Sequence, residues 1–187
     1  MPELPEVEVV RRSLQSFING LKIKKVTIFN RNLRYKIKRN FERIIEHQKI
    51  IFVKRRSKFL LLGLENNFTI LIHLGMTGKI FISKENLKKI LKTSFYFESE
   101  MNKKHNHFTI QFNNKVKLIY NDVRKFGFLK LLNIKNHKNN FHLKSLGPEP
   151  LSAKFCNKYF TKYIENKNKN IKNILMDQKF VSGLGNI

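Results

Sequence analysis

Hydrophobic positions follow two different periods along the chain. In EVEVVRRSLQSFI, Val7, Val10, Leu14, Phe17 and Ile18 recur at helical spacing, and Gly20 ends the pattern. This predicts one short amphipathic helix with acidic residues in its first turn. From Lys22 to about Leu132 the pattern changes to short strand-like runs: IKKVTIF, KIIFVKRR, FLLLGL, FTILIHL, KIFIS, HFTIQF, VKLIY and FGFLKLL. The Asn-rich stretches LENNFT and FNNKVK separate such runs as hairpin loops do. Many short strands at regular spacing argue for a β-sandwich or barrel rather than a parallel α/β sheet.

The pattern breaks at LGPEPLS, Leu146 to Ser152, which carries two prolines and a glycine and reads as a linker. Helical spacing returns just after it. Ser152 is placed to cap a helix whose face carries Phe155, Tyr159, Phe160 and Tyr163, and a second helix is expected around Ile171 to Gln178. Gly183 and Gly185 in VSGLGNI then predict a turn. The fold expected is α+β: a sandwich domain with its N-terminal helix over 1–145, a linker over 146–151, and helices over 152–187.

Composition sharpens this picture in two respects. The 38 Lys and Arg against 13 Asp and Glu give a formal charge of +25, far beyond what solubility requires, and point to a polyanionic partner. Lys, Asn and Ile are all encoded by A/T-rich codons, so genome composition is a competing source of the lysines. The single cysteine, Cys156, excludes an internal disulfide and a four-cysteine zinc site within these residues, and is expected as a small buried hydrophobe. No apolar run reaches the roughly 18 residues that span a membrane, and the acidic N-terminus lacks a basic leader, so a cytoplasmic protein is expected.

Against this basic background the chain opens MPELPEVEVV, with Glu3, Glu6 and Glu8 close together. Two readings compete. Pro2 and Pro5 rigidify a helix start whose dipole the acids complement; or Pro2, once Met1 is trimmed, is a secondary amine able to attack an aldehydic sugar carbon, with Glu3 as general acid or base. In KRRSKFLLL, Arg56 and Lys58 would share one face of an alternating strand, suited either to phosphate contact or to a solvated edge. HLGMTG presents Met76 on a tight turn, a residue type found more often in cores. KKHNHF sets His105 and His107 at strand spacing, a weak metal or phosphate signal. NDVRKFGF places Arg124 two residues from Phe126, a cationic and aromatic pair able to enter a DNA stack or simply to straddle a surface.

Taken in order, MPELPEVE, RRSKFLLL, HLGMTG, HNHF, RKFGF, LGPEPL and ILMDQKFVSGLGNI resemble the formamidopyrimidine-DNA glycosylase family of bacterial repair enzymes over essentially the whole chain. Leu4 and the HLGM turn favour this branch over the endonuclease VIII branch. The resemblance implies that Pro2 is a Schiff-base nucleophile on C1′, that Glu3 is a proton donor to the sugar, and that Lys58 is the proton donor in β-elimination. It implies that Met76, Arg124 and Phe126 fill the gap left by a flipped nucleotide, with Arg124 pairing to the orphaned cytosine. It implies DNA contacts by His105, Arg124, Lys167, Lys172 and Asn186, and a monomeric, nucleoid-associated enzyme. Its double-stranded DNA partner would carry oxidised purines or abasic sites. Val123 and Lys125 depart from the family's usual Pro and Arg. The family continues into the rest of a helix-two-turn-helix module and a four-cysteine zinc finger, whose ligands these residues lack. A catalytically inactive, truncated DNA-binding remnant is therefore the alternative expectation.

Overall fold

A computed structural model of the chain describes residues 2–84, 91–92, 101–133 and 140–186. The first helix, α1 (Leu4–Ile18), starts where expected because its first turn caps itself: the Glu3 N–H donates to Glu6 Oε2 at 2.5 Å, and the Glu6 N–H returns the bond to the Glu3 carboxylate. Pro5 sits in the first turn, where a missing N–H costs nothing. Val7, Val10, Leu14 and Ile18 form its buried stripe.

The strands make two antiparallel sheets. One has the order β1 (Ile23–Ile28), β7 (Asn106–Phe112), β8 (Val116–Asp122), β5 (Gly78–Lys84), β6 (Leu91–Lys92); the other runs β2 (Ile50–Arg56), β3 (Phe59–Leu64), β4 (Phe68–His73), β9 (Phe128–Asn133). Leu60, Leu62, Ile70 and Ile72 of the second sheet meet Ile80, Ile82, Phe108, Ile110 and Leu118 of the first in one core, which the α1 stripe joins. Each such side chain contributes about 1.5–3 kcal/mol on leaving water. FLLLGL lacks alternation because its other face is buried too: Leu61, Leu71, Phe128 and Leu132 pack with Leu143 of the short helix α3 (Phe141–Lys144). A further short helix, α2 (Phe41–Ile45), buries Phe41 and Ile45 and was not legible as a helix in the sequence.

The helical part has its own core around Phe180, which is fully buried among the rings of Phe155, Tyr159, Phe160 and Tyr163 at centroid distances of 4.3–5.7 Å. Tyr159, Phe160 and Tyr163 lie on the expected face of α4 (Asn157–Ile164), whereas Phe155 precedes the helix, and the cap is not Ser152. The Ser152 hydroxyl turns back to Glu149 O at 2.8 Å, one turn intervenes, and Cys156 occupies the cap position. Cys156 is consequently exposed rather than buried. The last helix, α5 (Ile171–Met176), ends before Gln178, whose side chain is engaged elsewhere. Among the described residues no helix is long and apolar enough to cross a membrane.

The LGPEPLS segment is docked on both sides rather than free. Arg56 donates to Leu146 O at 3.0 Å and Gly147 O at 2.6 Å, while the Gly147 N–H donates to Gln178 O at 2.9 Å. Glu149 accepts Arg55 through both oxygens, at 3.0 and 2.7 Å, and Arg55 also reaches Glu8 of α1 at 3.0 Å. One guanidinium thus ties the first helix, a strand and the LGPEPLS segment together.

Candidate active site

The N-terminal helix cap, the β2–β3 turn and the turn after α5 converge on Glu3. Glu3 is 4% exposed, and its carboxylate forms an ion pair with the ammonium of Lys58, a residue 8% exposed. Lys58 does not share a strand face with Arg56. Ser57 takes φ 54°, so the alternation expected through RRSK breaks at the turn and the lysine swings toward α1 while Arg56 faces the Leu146–Gly147 backbone. The turn is pinned from behind: the Ser57 N–H donates to Glu149 at 2.7 Å and Ser57 O accepts from Arg55 at 2.9 Å. Glu3 and Lys58 are therefore held by backbone that cannot easily drift. Pro2 precedes this pair directly and is half-buried; Met1 lies outside the described residues.

The third wall is the GLGN turn. The Leu4 N–H donates to Gly183 O at 3.2 Å. A Cβ on Gly185 would lie 2.2 Å from Glu3 Oε2, and one on Gly183, at φ +102°, would lie 2.4 Å from the Leu4 side chain. Both glycines are thus required for the turn to close on the carboxylate. Gln178 shapes the turn from inside, accepting the Gly183 N–H at 2.8 Å and donating to Leu184 O at 2.5 Å. Asn186 follows immediately and is exposed.

Met76, Arg124 and Phe126 come together on two neighbouring loops. Met76 is 45% and Phe126 44% exposed, so neither is core, and the Arg124 guanidinium lies over the Phe126 ring at 4.5 Å. Lys125 holds φ 58° between them. His105 lies partly exposed in a 3-10 turn leading into β7, and His107 is buried with Nε2 2.6 Å from Asp122 O, so the pair does not form a surface site. Lys167 and Lys172 are exposed around the turn between α4 and α5, and Lys167 lies over the Tyr163 ring at 3.7 Å. Among the described residues, no hydrogen bond or ion pair joins these two lysines to the Glu3–Lys58 pair.

Sequence reasoning missed the residues that position the others: Glu149, Gln178, His73 and Asp122. His73 ends β4, stacks on Phe128 at 5.4 Å and accepts the Gly75 N–H at 3.1 Å through Nδ1. Burial, reinforced by the charges of Arg34 and Lys58, holds its pKa down to about 4, so it is neutral at physiological pH. The signal available was the polar residue closing an apolar strand, which is too common to assign alone.

Comparison with known proteins gives this geometry a lineage. The model of the formamidopyrimidine-DNA glycosylase N-terminal domain matches residues 1–129. The chain belongs to the formamidopyrimidine-DNA glycosylase family. The model of that family's H2TH domain matches residues 146–187. The formamidopyrimidine-DNA glycosylases of Bartonella quintana and of Ruthia magnifica are 41% and 42% identical to the whole chain, which spans 64% and 63% of their lengths. A crystal structure of Lactococcus lactis Fpg in complex with abasic-site DNA superposes with a TM-score of 0.84 at 32% identity, over all of this chain and 64% of that one. The wild-type enzyme of the same organism bound to DNA containing N7-benzyl-Fapy-dG gives 0.83 at 33% identity, over all of this chain and 64% of that one. One cysteine cannot supply the four thiolates of the zinc finger implied by the resemblance, so these residues do not fit that ion.

The ion-pair network gives a pH prediction. Burial opposes the charge on Glu8, yet hydrogen bonds from Arg11, Arg55 and Arg12 hold its pKa down to about 2; burial likewise opposes Glu149, and Arg55 together with the Ser57 N–H outweighs it. Depressed carboxylates stabilise the fold above their unfolded pKa near 4.3, and that contribution is lost as pH falls toward the folded value. His73 acts in the window above: an unfolded histidine takes up a proton below about 6.5 and the buried one does not until about 4. The unfolding midpoint therefore falls from pH 6.5 downward and continues to fall toward pH 2. Glu149→Gln lowers the midpoint at pH 7 and flattens the slope below pH 4.5; an unchanged slope in calorimetric melts would contradict the assignment.

Proposed function

We propose that this chain is a base-excision-repair DNA glycosylase with AP lyase activity, acting on 8-oxoguanine and formamidopyrimidines in double-stranded DNA. The observation that carries the reading is the buried Glu3–Lys58 pair, held beside Pro2 and closed by the GLGN turn. Glu3 helps open the sugar by delivering a proton to its ring oxygen. The Pro2 amine forms its bond to C1′ as the C1′–N bond to the damaged base breaks, and the base leaves with the N–H proton that the amine sheds. The resulting iminium acidifies the C2′ proton; water takes that proton, the C3′–O bond breaks by β-elimination, and Lys58 donates a proton to the departing 3′ phosphate. Water then hydrolyses the iminium and returns Pro2.

A stacked base is out of reach, so the nucleotide is flipped out and Met76, Arg124 and Phe126 occupy the gap, Arg124 facing the orphaned cytosine. His105, Lys167, Lys172 and Asn186 contact DNA, mostly at phosphates, consistent with the +25 charge. Residues 1–145 form the catalytic domain, 146–151 the linker and 152–187 part of the helix-two-turn-helix module. The purified chain is expected to incise a duplex with 8-oxoguanine opposite cytosine and to leave the undamaged duplex whole. Equal treatment of the two duplexes would contradict the reading.

A further inference from the structure

Asp122 is a fully buried carboxylate that the reaction does not use. Burying a charge is costly unless its oxygens are satisfied, and here four donors meet two oxygens. Oδ1 takes the Thr77 hydroxyl at 2.5 Å and the Arg124 N–H at 3.2 Å; Oδ2 takes the Gly127 N–H at 2.8 Å and the Tyr120 hydroxyl at 3.2 Å. Three of the donors come from the two loops of the wedge, and Tyr120 comes from β8. Thr77 follows Met76, and Arg124 and Gly127 bracket Phe126. Thr77 Oγ1 also accepts the Arg124 N–H at 3.0 Å, so a single hydroxyl joins the Met76 turn to the Arg124 backbone.

The surrounding packing makes the join tight. A Cβ on Gly75, at φ +64°, would lie 2.5 Å from the Phe126 carbonyl carbon and the Gly127 nitrogen. One on Gly127 would lie 1.8 Å from the Tyr120 hydroxyl. The loops thus touch backbone to backbone above the carboxylate, while their tips at Met76, Val123 and Phe126 stay in solvent. Lys125, a non-glycine residue held at φ 58°, adds local strain that persists only because its neighbours are fixed.

We propose that Thr77 and Asp122 are positioning residues that lock the Met76 turn and the Arg124–Phe126 loop into one rigid wedge, and that this hydroxyl–carboxylate bridge sets how strictly the base opposite the lesion is read. The inference rests on the function proposed above. A recognition side chain discriminates when its backbone is fixed before binding; a loose one can follow a mismatched base. Arg124 has that fixity at its own N–H.

The test compares the wild-type chain with Thr77→Val, which keeps the shape and removes the hydroxyl, and Thr77→Ser, which keeps the hydroxyl. The readouts are the rate of borohydride trapping on abasic-site duplexes with cytosine or adenine opposite, and amide hydrogen exchange at Arg124 and Gly127. The wild type favours cytosine; Thr77→Val lowers the cytosine-to-adenine ratio roughly tenfold, the scale of one hydrogen bond, and speeds both amides, while Thr77→Ser keeps the ratio. An unchanged ratio in Thr77→Val, an equal fall in both variants, or a trapping wild type with no preference overturns the proposal. A wild-type chain that traps neither duplex overturns instead the function on which it rests, and amide exchange then judges the lock alone: unaltered exchange in Thr77→Val overturns it.

Discussion

Pro2→Leu is expected to abolish covalent trapping. A bulky second residue keeps Met1 in place, so the nitrogen at position 2 stays in a peptide bond and has no lone pair to offer C1′. Loss of a covalent nucleophile leaves only binding and positioning, so trapping should fall below roughly a thousandth of the wild-type rate. Pro2→Gly separates nucleophile from scaffold, because glycine still permits methionine removal and presents a primary amine. It should trap weakly where Pro2→Leu does not. Helix α1 begins at Leu4 and is capped by Glu3, so neither change touches the cap, and melting midpoints close to the wild type are expected. Trapping retained by Pro2→Leu, checked by borohydride reduction and gel shift, would remove the nucleophile assignment.

Glu3→Gln is the second large effect, and it should divide the activity. Glutamine keeps an acceptor for the Glu6 N–H but has no proton to give the sugar oxygen. General acid–base groups supply about a hundredfold to ten-thousandfold in rate, so incision at 8-oxoguanine should fall by that factor. An abasic-site duplex no longer holds a base to be lost, and trapping there should fall far less. Two physical effects compete in this variant. The same change strips Lys58 of its buried counter-charge, and breaking a buried pair costs about 3–5 kcal/mol. Melting curves report that loss, and incision rates on the folded fraction report the chemistry. Equal loss on the two substrates would show that Glu3 acts only by holding Lys58.

Much of the architecture was legible because one mechanism wrote it. The α1 stripe and all eight apolar runs became a helix and strands, since their periodicity is the burial pattern itself. Boundaries depending on side chain–backbone competition were not legible. Ser152 looked like a cap and instead closed a turn on Glu149; Cys156, read as buried from its residue type, took the cap position and was exposed. A single left-handed residue, Ser57, decided where Lys58 points, and no period of two anticipates that. The site was legible as motifs and illegible as geometry. Pro2, Glu3, Lys58, Met76, Arg124 and Phe126 stand out by type and order, whereas Asp122, Glu149 and Gln178 matter through contacts between segments far apart in sequence. Gly185 was readable as a turn but not as the wall against Glu3, because a close approach is a property of two segments at once.

Pro2 is proposed as the nucleophile of a lesion-specific glycosylase. The most direct test is borohydride trapping of the Met-trimmed chain on a duplex with 8-oxoguanine opposite cytosine and on an abasic-site duplex, followed by peptide mapping of the adduct. A covalent product is expected on both substrates, with the deoxyribose remnant on the N-terminal nitrogen of Pro2. An adduct mapped to Lys58, or a folded chain that forms no adduct on either duplex, would contradict it.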